Sequence, residues 1–192
     1  MRPIVPLAAG ALVVAGATLL APHPLSAHAR AFAENLPLIG GSGGNAFTRD
    51  CPKGSVLTGV RWRTGLALDG LGIACSPVLS NGSLGAEVDV GAMTGGNGGT
   101  AGRGHCQGGV VAAQGGSSAG VSLDGLFLRC FTWYAASRSY GGTYVTEIEV
   151  KKPAAIPFWN FTQCRDGTAP ATGIYGRHGS LVDAVALKCG TP

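Results

Sequence analysis

The sequence predicts an all-β protein assembled from three copies of one unit of about 55 residues, and three observations carry that reading. Six cysteines fall into pairs of near-constant separation. Glycine supplies 33 of 192 residues while only 12% are charged. Short stretches in which apolar residues alternate with others recur at the same place in each copy. Glycine is poor in the interior of helices and strands, so its abundance points to tight turns and close backbone approaches. Alternation with a period of two is the mark of a strand.

The copies run from Cys51 to Cys75, from Cys106 to Cys130 and from Cys164 to Cys189, spans of 24, 24 and 25 residues. Around those cysteines other columns align. Gly54, Gly109 and Gly167 each lie three residues after the first cysteine. Asp69, Asp124 and Asp183 lie six before the second, and Gly65, Gly120 and Gly179 lie four before the aspartate. Successive first cysteines are 55 and 58 residues apart (51 to 106, 106 to 164), the kind of period expected of repeated supersecondary units with a shared core.

Each element follows from its local pattern. Leu71, Ile73 and Cys75 alternate in the same phase as Leu126, Leu128 and Cys130 and as Val185, Leu187 and Cys189, which predicts one strand per copy with the aspartate at its head. Residues 56–63 and 171–177 read as the preceding strands, so the unit is a hairpin with aspartate near its bend. Residues 144–150 alternate as well and read as an upstream strand of the third unit. Three small sheets are the economical arrangement, with repeats around 38–80, 92–135 and 141–192.

The N-terminal segment reads as an export signal. Met1 and Arg2 give a positive start, residues 4–21 are an uncharged apolar run, and Ala27-His28-Ala29 and Ala31-Phe32-Ala33 supply small-x-small cleavage sites. Residues 1–29 are thus expected to be a signal peptide, with cleavage after Ala33 as the second choice, leaving residues 34–192 as a single domain. A membrane anchor is the alternative reading of the same run. Pro6, Gly10 and Gly16 interrupt it, no basic stop-transfer cluster follows, and no cysteine there offers a lipid attachment point. The expected location is secreted or periplasmic, without a membrane span after cleavage.

All six cysteines lie beyond that segment, an even number in an exported chain, so disulfides are expected. Zinc is the alternative, but there is no C-x-x-C motif and no histidine cluster, only His105 and His178 beyond the predicted signal. Identical units repeat an identical bridge, which pairs Cys51 with Cys75, Cys106 with Cys130 and Cys164 with Cys189. A net charge of +4 is too small an electrostatic footprint for nucleic acid.

A second motif precedes the first two cysteine pairs. Gly40-Gly41-Ser42-Gly43-Gly44 begins eleven residues before Cys51, and Gly95-Gly96-Asn97-Gly98-Gly99 begins eleven before Cys106. The G-x-x-x-D segments are Gly65-Leu66-Ala67-Leu68-Asp69, Gly120-Val121-Ser122-Leu123-Asp124 and Gly179-Ser180-Leu181-Val182-Asp183. A GGxGG loop with a later GxxxD, in repeated copies, resembles the jacalin-related lectins, griffithsin-like members with threefold repeats in particular. The cysteine-framed form is also similar to the β-prism of vitelline membrane outer-layer proteins. The resemblance covers most of residues 38–192. It implies a β-prism, three four-stranded antiparallel sheets about a pseudo-threefold axis with one disulfide per repeat.

For function the resemblance implies a carbohydrate site at one end of the prism, with glycans as partners and no cofactor or metal. An ionised aspartate accepts hydrogen bonds from two neighbouring sugar hydroxyls, and bare glycine lets backbone N–H groups approach the ring. Asp69, Asp124 and Asp183 would be the acceptors, and Gly41, Gly43, Gly44, Gly96, Gly98 and Gly99 would shape the donor loops. The third copy lacks a GGxGG eleven residues before Cys164, its nearest paired glycines being Gly141 and Gly142. Copies one and two, with Asp69 and Asp124, are therefore the expected sites.

Plainer readings stand beside this one. Aspartate in a turn often bonds nearby backbone N–H groups and simply fixes the bend. Trp62, Trp133, Tyr134, Tyr140 and Trp159 can present rings to a sugar, but read more simply as core or sheet-face residues. Arg61 and Arg63 flank Trp62 and read as a shared solvated face. No catalytic residue is indicated: glycosidase chemistry needs two facing carboxylates, and the three aspartates are expected to be spread about an axis. Two sequons, at Asn81 and Asn160, are present. The rival function is a structural or protein-interaction prism of the cell exterior that binds no sugar.

Overall fold

The computed structural model describes residues 33–120, 122–151, 161–165 and 167–192. The side chains of Ala33, Ala119 and Asp124 are outside that description, as are the predicted signal peptide, Trp159 and Asn160. The described residues are all-β. A first sheet comprises β4 (Ser55–Thr64), β5 (Leu68–Pro77), β6 (Val88–Gly95) and β7 (Thr100–His105) in the order β6-β5-β4-β7. A second comprises β8 (Gly109–Ala119), β9 (Ser122–Tyr134), β10 (Ser139–Lys151) and β11 (Thr162–Gln163) in the order β10-β9-β8-β11. The third joins the two ends of the described chain. Its central hairpin is β12 (Ala171–His178) and β13 (Val182–Gly190), flanked by β3 (Asn45–Asp50) on one side and by β1 (Ala33–Asn35) and β2 (Ile39–Gly40) on the other.

The predicted four-stranded sheets are met with one local difference. β1 and β2 both lie along β13, β1 opposite residues 188–190 and β2 opposite residues 184 and 185, so they are one outer strand in two pieces. The break falls at Pro37, which has no N–H to give to a ladder.

Each sheet is built the same way. A central hairpin carries the G-x-x-x-D turn, and in the third and first sheets the two outer strands are joined by a crossover past that turn, residues 41–44 between β2 and β3 and residues 96–99 between β6 and β7. The reading of 144–150 as part of the third unit is corrected here. These residues belong to β10, which pairs with β9. The turn between β9 and β10 is only residues 135–138, and so short a connection makes antiparallel neighbours of the strands it joins.

The core is where the alternation put it. Leu71, Ile73, Leu126, Leu128, Val185 and Leu187 are all buried, together with Leu68, Leu123 and Val182 from the position before each aspartate. Trp62 packs against this core, its indole lying over Gly102 and Gly104 of β7. Trp133 and Tyr140 are buried too, Trp133 donating Nε1–H to the Gly82 carbonyl at 2.8 Å, whereas Tyr134 is exposed. Within the third sheet Tyr175 donates its hydroxyl to the Leu36 carbonyl at 2.6 Å, and burial raises its pKa above the ordinary phenol value.

The three disulfides pair as the repeat predicts: Cys51 with Cys75, Cys106 with Cys130, Cys164 with Cys189. Their architectural role differs from a staple within one sheet. Cys51 follows β3 of the third sheet and Cys75 lies in β5 of the first. Cys106 follows β7 and bonds to β9 of the second, and Cys164 follows β11 and bonds to β13 of the third. Each bridge ties one sheet to the next, and together they close the triangle.

A buried amide reinforces one corner. Gln114, 1% exposed on β8, donates Nε2–H to the Pro37 carbonyl at 2.7 Å and accepts from the Leu187 backbone N–H at 2.6 Å. Gln114→Leu keeps the volume but leaves both groups unpaired, and is expected to cost about 2–4 kcal/mol in urea unfolding. A loss below about 1 kcal/mol would show that this link contributes little.

Candidate functional site

The geometry starts at the turns. Gly65 donates its N–H to the Ala67 carbonyl at 3.0 Å and Gly179 donates to the Leu181 carbonyl at 2.9 Å, the same tight turn twice. Each hands the chain to a fully buried residue, Leu68 or Val182, so the next residue points away from the core. That next residue is Asp69 at the head of β5 and Asp183 at the head of β13.

Onto each of these aspartates folds a glycine loop from the neighbouring crossover. Gly96 donates its N–H to the Asp69 carbonyl at 2.5 Å, and Gly41 donates to the Asp183 carbonyl at 2.9 Å. Beyond that anchor the loop passes over the carboxylate. A methyl group at Gly98 would stand 2.5 Å from Asp69 Oδ1, and one at Gly99 would stand 2.6 Å from Oδ2. Gly99 and Gly44 both hold φ of +64°, and a side chain at Gly44 would run into the Asp183 carboxylate just as one at Gly99 runs into that of Asp69. Only glycine meets both demands at these two positions.

The partnership therefore crosses the sequence copies. Residues 95–99, which precede Cys106, serve Asp69; residues 40–44, which precede Cys51, serve Asp183. Among the described residues the paired elements are those at Asp69 and Asp183, and the expected site at Asp124 falls on a side chain outside them. The third position is different. Asp124 enters β9, its side chain being outside the described residues, and a methyl at Gly120 would meet nothing within 4 Å. Gly141 and Gly142 do not replace the missing loop, because they lie in β10 beside Tyr134, near the end of β9 remote from Asp124. Of the connection between β10 and β11, residues 152–160 are outside the described residues.

One arginine completes each assembly. Arg63 donates Nε–H to the Gly98 carbonyl and Nη2–H to the Gly99 carbonyl, both at 2.8 Å. Arg177 does the same to Gly43 at 2.8 Å and Gly44 at 2.6 Å. The reading of Arg61 and Arg63 as a merely solvated face is thus half right: Arg61 pairs with Asp89 at 3.3 Å on the sheet surface, while Arg63 grips the loop. A signal for this was in the sequence. The residue two before the turn glycine is Arg63, Ser118 and Arg177 in the three copies, and arginine stands where a glycine loop is found.

Among the described residues neither Asp69 nor Asp183 has an ion-pair partner, and Asp69 Oδ2 lies buried beneath the loop without a protein donor. The two assemblies are neighbours. The Ser180 carbonyl of the third-sheet turn lies against Gly96 of the first-sheet loop, so the two carboxylates share one end of the molecule. No group of three or more potential metal ligands occurs among the described residues.

A polar cleft of about 590 Å³ lies toward the opposite end of β5, lined by Thr58, Ser76, Glu87, Arg103 and His105 among others. Its charged groups satisfy one another. Arg103 pairs with Glu87 at 3.0 Å and Asp89 at 2.9 Å, contacts that raise its pKa further, and Thr58 donates to Glu87 at 2.8 Å. His105 lines this cleft as well.

No protein-family model matches the sequence, and no curated protein matches it. Solved structures do match its shape. The wild-type Malaysian banana lectin superposes with a TM-score of 0.54 at 17% identity, over 84% of this chain and 100% of the lectin. A mannose binding jacalin related lectin from Ananas comosus gives a TM-score of 0.52 at 22% identity, over 83% and 98%. Artocarpin gives 0.55 at 11% identity, over 82% and 97%. The fold is that of the jacalin-related lectins. At these identities the likeness is one of architecture, so the jacalin-related prism is common ground and the glycine loops with their aspartates are argued from this chain's own geometry.

Proposed function

We propose that this chain is an exported, non-enzymatic glycan-binding protein that holds sugar hydroxyls with Asp69 and Asp183. The observation that carries the reading is the duplication of one assembly from residues far apart in sequence: an aspartate without a cation, enclosed by a glycine loop that leaves room for no side chain. An ionised carboxylate accepts two hydroxyl protons at once, and glycine backbone brings N–H donors close to the same ring. The jacalin-related neighbours lend support, since artocarpin is described as a lectin with mannose specificity and its structure has been solved with methyl α-mannose.

Export rests on the apolar N-terminal run and on three disulfides, which persist in oxidising compartments. Ala33 already pairs with Gly190 in the third sheet, which favours removal of the signal after Ala29 over removal after Ala33. Among the described residues no helix is long and apolar enough to cross a membrane. Neighbouring sites favour glycans with more than one terminal residue, because a second sugar on the same chain binds at a high effective concentration.

A glycan array on the purified mature chain tests the proposal. Binding to a subset of glycans, competed by the free sugar, is the expected result. A wild-type protein that binds nothing above background would leave the rival reading, a structural prism of the cell exterior.

A further inference from the structure

We infer that Arg63 and Arg177 are positioning residues that make sites of two of the three turns, so that one chain has two glycan sites and not three. The inference takes its ligand from the reading above, but its geometric part stands without it.

A glycine loop is entropically costly to order. Residues 95–99 and 40–44 each contain four glycines in five positions. Such a segment has the largest backbone freedom a chain can have, and a ligand that had to order it would lose affinity by doing so. The arginine removes that burden beforehand. Its planar fork places Nε–H and Nη2–H on two successive carbonyls, a pairing that lysine, with a single ammonium, does not reproduce. Because a trans peptide sets N–H opposite C=O, fixing the Gly98 and Gly43 carbonyls on the guanidinium turns the Gly99 and Gly44 N–H groups away from it. The arginine thus sets the direction in which the loop offers its donors.

The three copies act as an internal comparison. Where the residue two before the turn glycine is arginine, a GGxGG loop lies over the aspartate; where it is Ser118, no GGxGG motif is present. The same four donor-to-carbonyl contacts, formed by strands of two different sheets, make a chance surface contact an insufficient account of them.

The test uses the mature chain and its Arg63→Ala, Arg63→Lys and Arg177→Ala variants, read first by amide hydrogen exchange without ligand and then by titration with methyl α-mannoside. Arg63→Ala should speed exchange at residues 96–99 by roughly tenfold or more while leaving residues 41–44 and the melting temperature unchanged. Arg177→Ala should do the reverse, and Arg63→Lys should not restore protection. In the titration wild type should take two equivalents per chain, and each alanine variant should weaken one of them by roughly tenfold. Unchanged exchange at residues 96–99 in Arg63→Ala overturns the inference, as does loosening of both loops by either single variant, which would mean a general effect on stability. Three equivalents bound by wild type also overturn it. If wild type binds no mannoside, the exchange measurement still decides the role of the arginines, and the failure belongs to the glycan reading.

Discussion

Reduction of the three disulfides should unfold the protein at room temperature. Each bridge closes a loop of 24 or 25 residues, and a loop of that size stabilises by about 3.5 kcal/mol through the entropy it removes from the unfolded chain. Three such terms are comparable with the whole stability of an ordinary domain, about 5–15 kcal/mol. Glycine sharpens the effect, because a chain with 33 glycines has an unusually broad unfolded ensemble to be constrained. The topology adds a second reason. Every bridge runs from one sheet to the next, so losing Cys51–Cys75 frees the third sheet from the first, where a staple inside one hairpin would only loosen that hairpin. Near-ultraviolet circular dichroism and exchange protection should both collapse on reduction and alkylation. Retention of a cooperative melt within a few degrees of the oxidised protein would show that the glycine-rich sheets hold without their ties.

The second large effect is on binding. Asp69→Ala together with Asp183→Ala should abolish glycan binding while leaving the fold intact. On the proposed reading each carboxylate is the acceptor of its assembly, and Asp69 Oδ2 has no protein hydrogen-bond partner. Deleting a charged hydrogen-bonding partner costs about 1.5–3 kcal/mol per bond, and a carboxylate holding two hydroxyls loses both, so each site should weaken by roughly a hundredfold or more. The fold should tolerate the change because Leu68 and Val182, the residues before each aspartate, supply the core contacts at that point.

Much of this was legible in the sequence, and what was not had physical causes. Period-two alternation fixed the inner faces, since Leu71, Ile73, Leu126, Leu128, Val185 and Leu187 are buried as the pattern requires. The cysteine spacing gave the bridges, but not that they run between sheets, because a repeat counted from cysteine to cysteine is out of step with a sheet that takes its outer strands from one end of the chain and its hairpin from the other. The same offset hid the partnership of residues 40–44 with Asp183, residues separated by most of the chain but adjacent along β13. Residues 144–150 pair outside the unit their position suggests, because alternation reveals a strand but not its neighbour. Arg63 and Arg177 were missed for a related reason. A charged residue on an outward face looks solvated until the loop that covers it is known, and that loop comes from a crossover no local pattern reveals.

The central claim is that two carboxylate and glycine-loop assemblies at one end of a jacalin-related prism each bind a sugar. Calorimetric titration of the wild type, Asp69→Ala, Asp183→Ala and the double variant with one array-positive glycan tests it most directly. The account predicts loss of one site in each single variant and of all binding in the double variant, with melting temperatures unchanged. Undiminished binding by the correctly folded double variant would contradict it.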